Sequence, residues 1–177
     1  MGLRLFWMRV GREREAPATI RPLDGLEEAQ ACARLMCSSE PWLTLGRGYE
    51  ASLELMRDET KERYVARPGE ALAGFLVLNM GGAFRGYIQI VCVAPENRGL
   101  GVGTRLVRFA EERIFRETPN VFLCVSSFNS GARRLYERLG YGLVGELTDY
   151  LVRGHSELLM RKTIGPIESA IGDRVIG

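Results

Sequence analysis

Apolar residues recur along this chain with two different periods, and the change of period separates strands from helices. Short runs rich in Val, Ile and Leu predict about seven strands, over 18–22, 62–67, 71–80, 87–93, 121–125, 141–146 and 156–162. Apolar positions three and four residues apart predict about four helices, over 24–39, 49–57, 102–114 and 131–139. This order predicts an α+β fold with a central mixed, mostly antiparallel sheet, in which 87–93 and 121–125 pair in parallel through a right-handed crossover.

The predicted first helix carries a start signal. Asp24 suits the N-cap position, and Glu27 follows three residues later as in a capping box. Its apolar positions predict an inward face formed by Leu26, Ala29, Ala33 and Met36. In the second helix the inward positions are Leu53 and Met56.

Composition and charge narrow the function classes. The chain has 177 residues, enough for one domain, and 24 basic against 22 acidic residues give a net charge of +2. This balance favours neither a nucleic-acid partner nor a membrane surface, and no apolar stretch approaches the ~18 residues of a membrane span. The four cysteines form no C-x-x-C pair and His155 is the single histidine, so we expect no metal site. Cys92 and Cys124 lie in apolar strands and are interpreted as buried free thiols, which favours the cytoplasm.

The two ends of the chain differ from its middle. Residues 1–15 combine an apolar stretch with interspersed arginines and lack the uninterrupted apolar core of a signal peptide. We interpret them as a poorly ordered leader, with a segment packing on a partner as the alternative. Residues 16–164 form the predicted domain, and residues 165–177 form a weakly structured tail.

A glycine-rich turn after the strand 87–93 carries the first chemical signal. Gly99, Gly101 and Gly103 alternate with other residues just before the central helix, and Arg98 and Arg105 flank them. Glycines let backbone amides approach a ligand closely, and the start of a helix adds partial positive charge. Together these features predict a diphosphate site. The spacing matches neither a Walker loop nor the dinucleotide fingerprint G-x-G-x-x-G.

Two motifs together indicate a family. Arg98–Gly103 reads R-x-x-G-x-G and resembles the acetyl-CoA pyrophosphate loop of the GNAT superfamily of N-acyltransferases. Residues 129–141 resemble its second signature, N-x-x-A-x-x-L-Y-x-x-x-G-F/Y, which begins at Asn129 and includes Tyr136. The resemblance covers about residues 18–162 and implies a GNAT-like fold.

The resemblance implies acetyl-CoA as the cofactor and assigns residues to it. The cofactor-binding residues would be Val91, Cys92, Val93, Arg98, Gly99, Leu100, Gly101, Val102, Gly103, Thr104, Asn129 and Tyr136. The Val93 backbone N–H would polarise the thioester carbonyl. Tyr136 would protonate the departing thiolate, a task that suits a phenol.

The acceptor side is less defined. The resemblance points to Glu40, Trp42, Tyr49, Gln89 and Tyr150 as acceptor-binding residues. Two branches of the family place a glutamate base on a central strand, and here Gln89 and Cys124 occupy those positions. The proton would therefore pass to water, to Glu40 or to Asp149.

The predicted function is transfer of an acetyl group from acetyl-CoA directly to a primary amine of a small molecule or of a peptide or protein N-terminus. A non-catalytic acyl-CoA-binding sensor or assembly module is the alternative. A nucleic-acid binder would depend on Arg133, Arg134 and Arg138, which are better interpreted as a solvated helix face beside Glu137. A homodimer through the last strands is compatible with the family.

Overall fold

A seven-stranded sheet organises the molecule, in the order β1-β2-β3-β4-β5-β7-β6. The computed structural model describes residues 18–167. Its strands are β1 (Thr19–Pro22), β2 (Glu62–Arg67), β3 (Gly74–Asn79), β4 (Tyr87–Val93), β5 (Asn120–Ser126), β6 (Gly142–Leu147) and β7 (Glu157–Thr163). Its helices are α1 (Gly25–Cys37), α2 (Tyr49–Arg57), α3 (Val102–Ile114) and α4 (Ser130–Arg138). The predicted α+β fold, with seven strands and four helices, is confirmed. The predicted leader 1–15 and most of the predicted tail lie outside the described residues.

The sheet is antiparallel except at one junction. β4 and β5 pair in parallel at Tyr87–Phe122 and Ile88–Leu123. No further ladder pairs join these two strands, whereas β5 continues to pair with β7 along its whole length. The sheet therefore opens between β4 and β5 towards their carboxyl ends.

Each face of the sheet has its own core. The predicted inward face of α3 is confirmed, since Leu106, Ala110 and Ile114 are fully buried against β3, β4 and β5. On the opposite face, α1 and α2 contribute Met36 and Met56 to a second cluster. Helix α3 covers the side of the sheet that also holds α4, so the opening between β4 and β5 has helices on both faces.

The start of α1 differs from the prediction in two respects. Leu26 is 55% exposed, although Ala29, Ala33 and Met36 of the same predicted face are buried. Asp24 is the N-cap, but its side chain makes no capping hydrogen bond, and the Asp24 amide donates to Oε2 of Glu28 at 2.8 Å. The carboxylate that accepts from the N-cap amide, the role predicted for Glu27, therefore belongs to Glu28.

Glu28 also ties α1 to the sheet edge. Arg21 and Arg67 both donate to its buried carboxylate at 2.9 Å. Burial raises the pKa of Glu28, but the hydrogen bonds from Arg21, the Asp24 amide and Arg67 hold that pKa below its usual value.

Within residues 18–167, no helix is long and apolar enough to cross a membrane.

Candidate active site

A cavity of about 860 Å³ lies where β4 and β5 separate. The loop between α1 and α2 forms one wall, and the hairpin between β6 and β7 forms another. The floor comes from β4, β5 and β7, and the first turns of α4 close one side. The opening in the sheet thus becomes a pocket with room for a ligand of cofactor-arm size.

A β-bulge shapes the β4 side of this cavity. Val77 pairs with Ile90 and Leu78 pairs with Ile88, so Gln89 is the extra residue. The bulge turns Ile90 to the α1–α2 face while Ile88 stays on the α3 face. Gln89 lines the cavity, and its buried Oε1 has no hydrogen-bond partner among the described residues.

Strand β4, which was predicted to bind the cofactor, contributes main-chain groups to the cavity, whereas the side chain of its cysteine, Cys92, faces away from it. Val91 lines the cavity and Val93 packs partly against the α3 core. Cys92 points to the opposite core, where burial raises the pKa of its thiol to about 12. Any part that Cys92 plays towards a ligand is therefore limited to its main chain.

The glycine-rich loop forms an open cradle at the start of α3. Gly99 and Gly101 have φ angles of 76° and 85°, in the left-handed region that favours glycine. A Cβ atom at either position would have no neighbour within 4 Å, so the space beside the loop is free. Gly101 is the N-cap, and the amides of the first turn, Val102, Gly103 and Thr104, lack intrahelical acceptors.

The two arginines that flank the loop differ. Arg98 is exposed, and its Nε donates to the Val93 carbonyl at 3.3 Å, which holds the guanidinium beside the end of β4. Arg105 donates to the Ala18 carbonyl at 2.5 Å and so ties α3 to the start of β1. Arg98 is therefore the arginine that is available to an anion at the loop.

The second motif lies at the other side of the cavity. Asn129 is the N-cap of α4, where its Oδ1 accepts from the Ala132 amide at 3.2 Å, and it lines the cavity. Tyr136 also lines it, and its ring meets Tyr141 edge to face at a centroid distance of 5.8 Å. Burial raises the pKa of Tyr136 to about 12, which keeps its phenol protonated at neutral pH.

The structure brings some predicted acceptor residues to the cavity and leaves others outside. Trp42, Gln89 and Tyr150 line it. Tyr49, the first residue of α2, packs against the core cluster to which α1 and α2 contribute, and it is not among the lining residues. Glu40 is exposed, and its carboxylate accepts from the Thr44 amide at 3.3 Å. Like Tyr49, Glu40 is not among the residues that line the cavity.

Asp149 has a structural contact of its own. It has a positive φ of 53°, and its Oδ1 accepts from the Gly154 amide at 2.6 Å. This bond closes the turn between β6 and β7. Asp149 is not among the lining residues of the cavity.

Two charged residues of the cavity wall were missed from the sequence. Glu157 opens β7, is buried, and accepts from the Ser126 Oγ at 2.5 Å. Arg47 lies in the loop before α2 and is half-buried. For Glu157 the sequence did hold a signal, because this lone carboxylate directly precedes the apolar run 158–160 and a charged residue is seldom buried without a partner. No comparable signal marked Arg47.

The thiols in this region are poor nucleophiles. Burial raises the pKa of Cys124, which lies against the Tyr87 phenol, and burial also raises the pKa of that phenol. A thiol must ionise to attack a carbonyl. Cys124 is therefore poorly suited to act as a nucleophile in this cavity.

Comparisons with known proteins identify the family of this chain. The model of the acetyltransferase (GNAT) family matches residues 26–141. This protein therefore belongs to the GNAT family, as the two motifs predicted. An uncharacterized N-acetyltransferase of Methanocaldococcus jannaschii is 34% identical over 101 residues, which cover 56% of this chain and 64% of the relative. The match thus spans less than two thirds of that relative.

Solved structures share the fold. An aminoglycoside 6′-N-acetyltransferase complexed with coenzyme A superposes with a TM-score of 0.67 at 20% identity, over 84% of this chain and 98% of its own. A variant of the spermidine N-acetyltransferase of Vibrio cholerae gives 0.64 at 21% identity, over 83% and 94%. At these identities the likeness concerns the architecture.

Proposed function

We propose that this protein transfers an acetyl group from acetyl-CoA directly to a primary amine. The observation that carries the proposal is the meeting, in one opening of the sheet, of the free edge of β4, the buried phenol of Tyr136 and the N-cap Asn129. The glycine cradle lies at the carboxyl end of the same strand. Membership in the GNAT family supports this function.

The residues present fit acetyl-CoA. The open space beside Gly99 and Gly101, the free amides of Val102–Thr104 and the guanidinium of Arg98 suit a diphosphate. The carboxyl-terminal half of β4 has backbone groups facing the opening, where an extended amide-containing arm would add like a strand. Cys92 and Leu100 contribute through their main chain.

Each residue has one task in the proposed reaction. When bound, acetyl-CoA supplies an activated acetyl thioester. The Val93 amide donates towards the thioester carbonyl, and Asn129 orients the neighbouring part of the arm. Tyr136 holds a proton at neutral pH and gives it to the sulfur as the C–S bond breaks.

The acceptor wall supports an amine of modest size. Trp42, Gln89 and Tyr150 line the cavity and come from elements other than α4. The structural neighbours are named for aminoglycoside and spermidine acetylation, and small-molecule amines are therefore the first acceptors to test, with peptide N-termini next. Cytoplasmic location and a homodimer stay predictions, and a dimer would use the β6 edge, where Leu143 and Val144 are exposed.

The direct test is an assay of thiol release from acetyl-CoA. The panel contains spermidine, an aminoglycoside, the amino acids and their amides, phosphoethanolamine and short peptides. Acceptor-dependent release of CoA is the expected result. Binding of CoA without turnover on any acceptor would instead support the non-catalytic acyl-CoA-binding module.

Replacement of Arg98 by alanine tests the anion cradle. We expect about a tenfold weaker affinity for CoA, because a charge-assisted hydrogen bond to phosphate is lost. Isothermal calorimetry measures the change. Arg108→Ala, at an exposed position of α3, is the matched control and should leave the affinity within about twofold. Equal losses in both variants would show that general charge, and not the cradle, holds the cofactor.

A further inference from the structure

Glu157 is the one acidic residue among the described residues that line the cavity. It is 4% exposed and begins β7, opposite Ser126 of β5. Alternation along these strands places it on the same face as Cys124 and Ser126, away from the α3 core. Its carboxylate therefore faces the opening between β4 and β5 from the side opposite Gln89.

The surroundings of this carboxylate are almost free of compensating charge. Ser126 donates one hydrogen bond to Oε1, and the Tyr87 phenol and the Cys124 thiol face it as neutral groups. Arg47 and Tyr150 line the same cavity, but neither bonds to Glu157. Burial raises the pKa of Glu157, although the bond from Ser126 opposes this. A raised pKa brings a carboxylate closer to the working range of a general base.

We propose that Glu157 binds the acceptor ammonium and removes its proton, so that it serves as the general base of the transfer. This inference rests on the proposed function. Glu40 and Asp149, the earlier candidates, are exposed and lie outside the cavity lining, whereas Glu157 is enclosed by it.

The ammonium loses one proton to Glu157, which passes it to solvent, and the nitrogen lone pair forms the C–N bond at the thioester carbonyl. The C–S bond then breaks, and Tyr136 gives its proton to the sulfur. The second surplus proton on nitrogen returns through solvent to Tyr136. The products are the acetylated amine, CoA and one released proton.

Glu157→Gln is the test variant, because glutamine keeps the shape and can still bond to Ser126. With the fastest acceptor of the panel, kcat/KM at pH 7 should fall about 100-fold. The deficit should shrink as pH rises towards the pKa of the free amine, about 10.4 for an alkylamine and 8 for an α-amine, since a neutral amine needs no base. Glu146→Gln, on exposed β6, and Glu40→Gln are the controls and should keep wild-type profiles.

A deficit that is constant across pH would overturn the proposal, as would an unchanged rate. If no amine of the panel is acetylated although CoA binds, the proposed function itself fails, and this inference fails with it. Loss of activity in Glu157→Gln, measured beside an active wild-type protein, is thus distinguishable from a wild-type protein that acetylates no amine.

Thermal unfolding adds a readout that does not involve the acceptor. The folded pKa of Glu157 is raised, so its ionisation opposes folding, and stability falls as pH rises through that folded pKa. Glu157→Gln should therefore unfold at a higher temperature than wild type at pH 8, with the advantage lost below about pH 4.3. If Glu157 served only to stabilise the fold through its bond to Ser126, Glu157→Gln would unfold at a lower temperature than wild type at pH 8.

Arg47 supports a second inference from a separate observation. It is half-buried in the cavity wall, and its Nη2 donates to the Ala51 carbonyl at 3.1 Å. Its buried Nε has no hydrogen-bond partner among the described residues, and none of their ion pairs includes it. Burial lowers the pKa of this guanidinium.

The geometry points to an acceptor that carries an anionic group, a carboxylate or a phosphate, beside its amine. Arg47 would bind the anion while Glu157 binds the amine. A polycation such as spermidine needs several carboxylates, whereas the described lining residues supply one carboxylate and one guanidinium. This inference deepens the proposed function by naming the class of acceptor.

Matched acceptor pairs test this class. Phenylalanine is compared with phenylalaninamide, and phosphoethanolamine with ethanolamine, so that the two pairs separate carboxylate from phosphate. In at least one pair the anionic member should have about a tenfold higher kcat/KM, and Arg47→Gln should abolish the preference. Arg57→Gln, at the exposed end of α2, should retain it. Equal rates within both pairs, no turnover of either anionic member, or a preference that survives in Arg47→Gln would overturn the inference.

Discussion

Replacing Tyr136 by phenylalanine is expected to lower kcat about 100-fold at neutral pH while the affinity for CoA stays within about twofold. The phenol lies in the cavity wall, and burial raises its pKa to about 12, so it enters the reaction as a proton donor. Phenylalanine keeps the ring that packs edge to face on Tyr141 and removes only the hydroxyl. The variant should therefore fold normally and fail in the step that expels the thiolate.

Tyr141→Phe is the matched control for that experiment. Tyr141 is also buried and its ring contacts Tyr136, but it is not among the cavity-lining residues. Its loss should leave kcat within about twofold. A Tyr136→Phe variant with wild-type turnover would remove the phenol from the mechanism, and a fall in both variants would indicate a general packing defect.

Replacing Gly86 by alanine is expected to cost about 3 kcal/mol in the free energy of unfolding. Gly86 precedes β4 with a φ of 82°, which disfavours any side chain. A Cβ there would lie 2.5 Å from Cγ2 of Ile114 and 2.7 Å from the Asn120 carbonyl oxygen. The parallel junction begins at this point, since the Phe122 amide donates to the Gly86 carbonyl at 3.0 Å. Strain and clash therefore act together at the paired end of the junction between β4 and β5.

Gly82→Ala separates these two effects. Gly82 has a φ of 80°, and a Cβ there would have no neighbour within 4 Å. This control carries the backbone strain alone, at about 1 kcal/mol. Urea unfolding measures both variants. Equal destabilisation of the two would show that the contacts at Ile114 and Asn120 relax without cost.

Local patterns predicted the fold because each element carried its own signal. The four-residue spacing from Val102 to Ile114 predicted α3 and its buried face, which the structure confirms. The glycine-rich loop and the motif that contains Asn129 and Tyr136 together indicated the family, which the family comparison confirms. At Leu26 the same logic was wrong: Ala29, Ala33 and Met36 of the predicted face are buried, but Leu26 in the first turn is exposed.

The charged part of the site could not be predicted in this way. Glu157 and Ser126 are 31 residues apart in sequence and meet only because β5 pairs with β7. Arg47 reaches the cavity through an irregular loop, whose course no periodicity describes. Glu40 was chosen because it lies in that loop, although its carboxylate turns to the Thr44 amide. Long-range pairing and loop geometry, and not composition, decide which carboxylate enters the cavity.

Calorimetric titration of the wild-type protein with CoA and with 4′-phosphopantetheine tests the central claim most directly. The two ligands share the arm that would follow β4, but only CoA carries the diphosphate. If the amides and Arg98 around Gly99–Gly103 hold that diphosphate, CoA should bind about 100-fold more tightly. Equal affinities, or no heat of binding with CoA, would contradict the account.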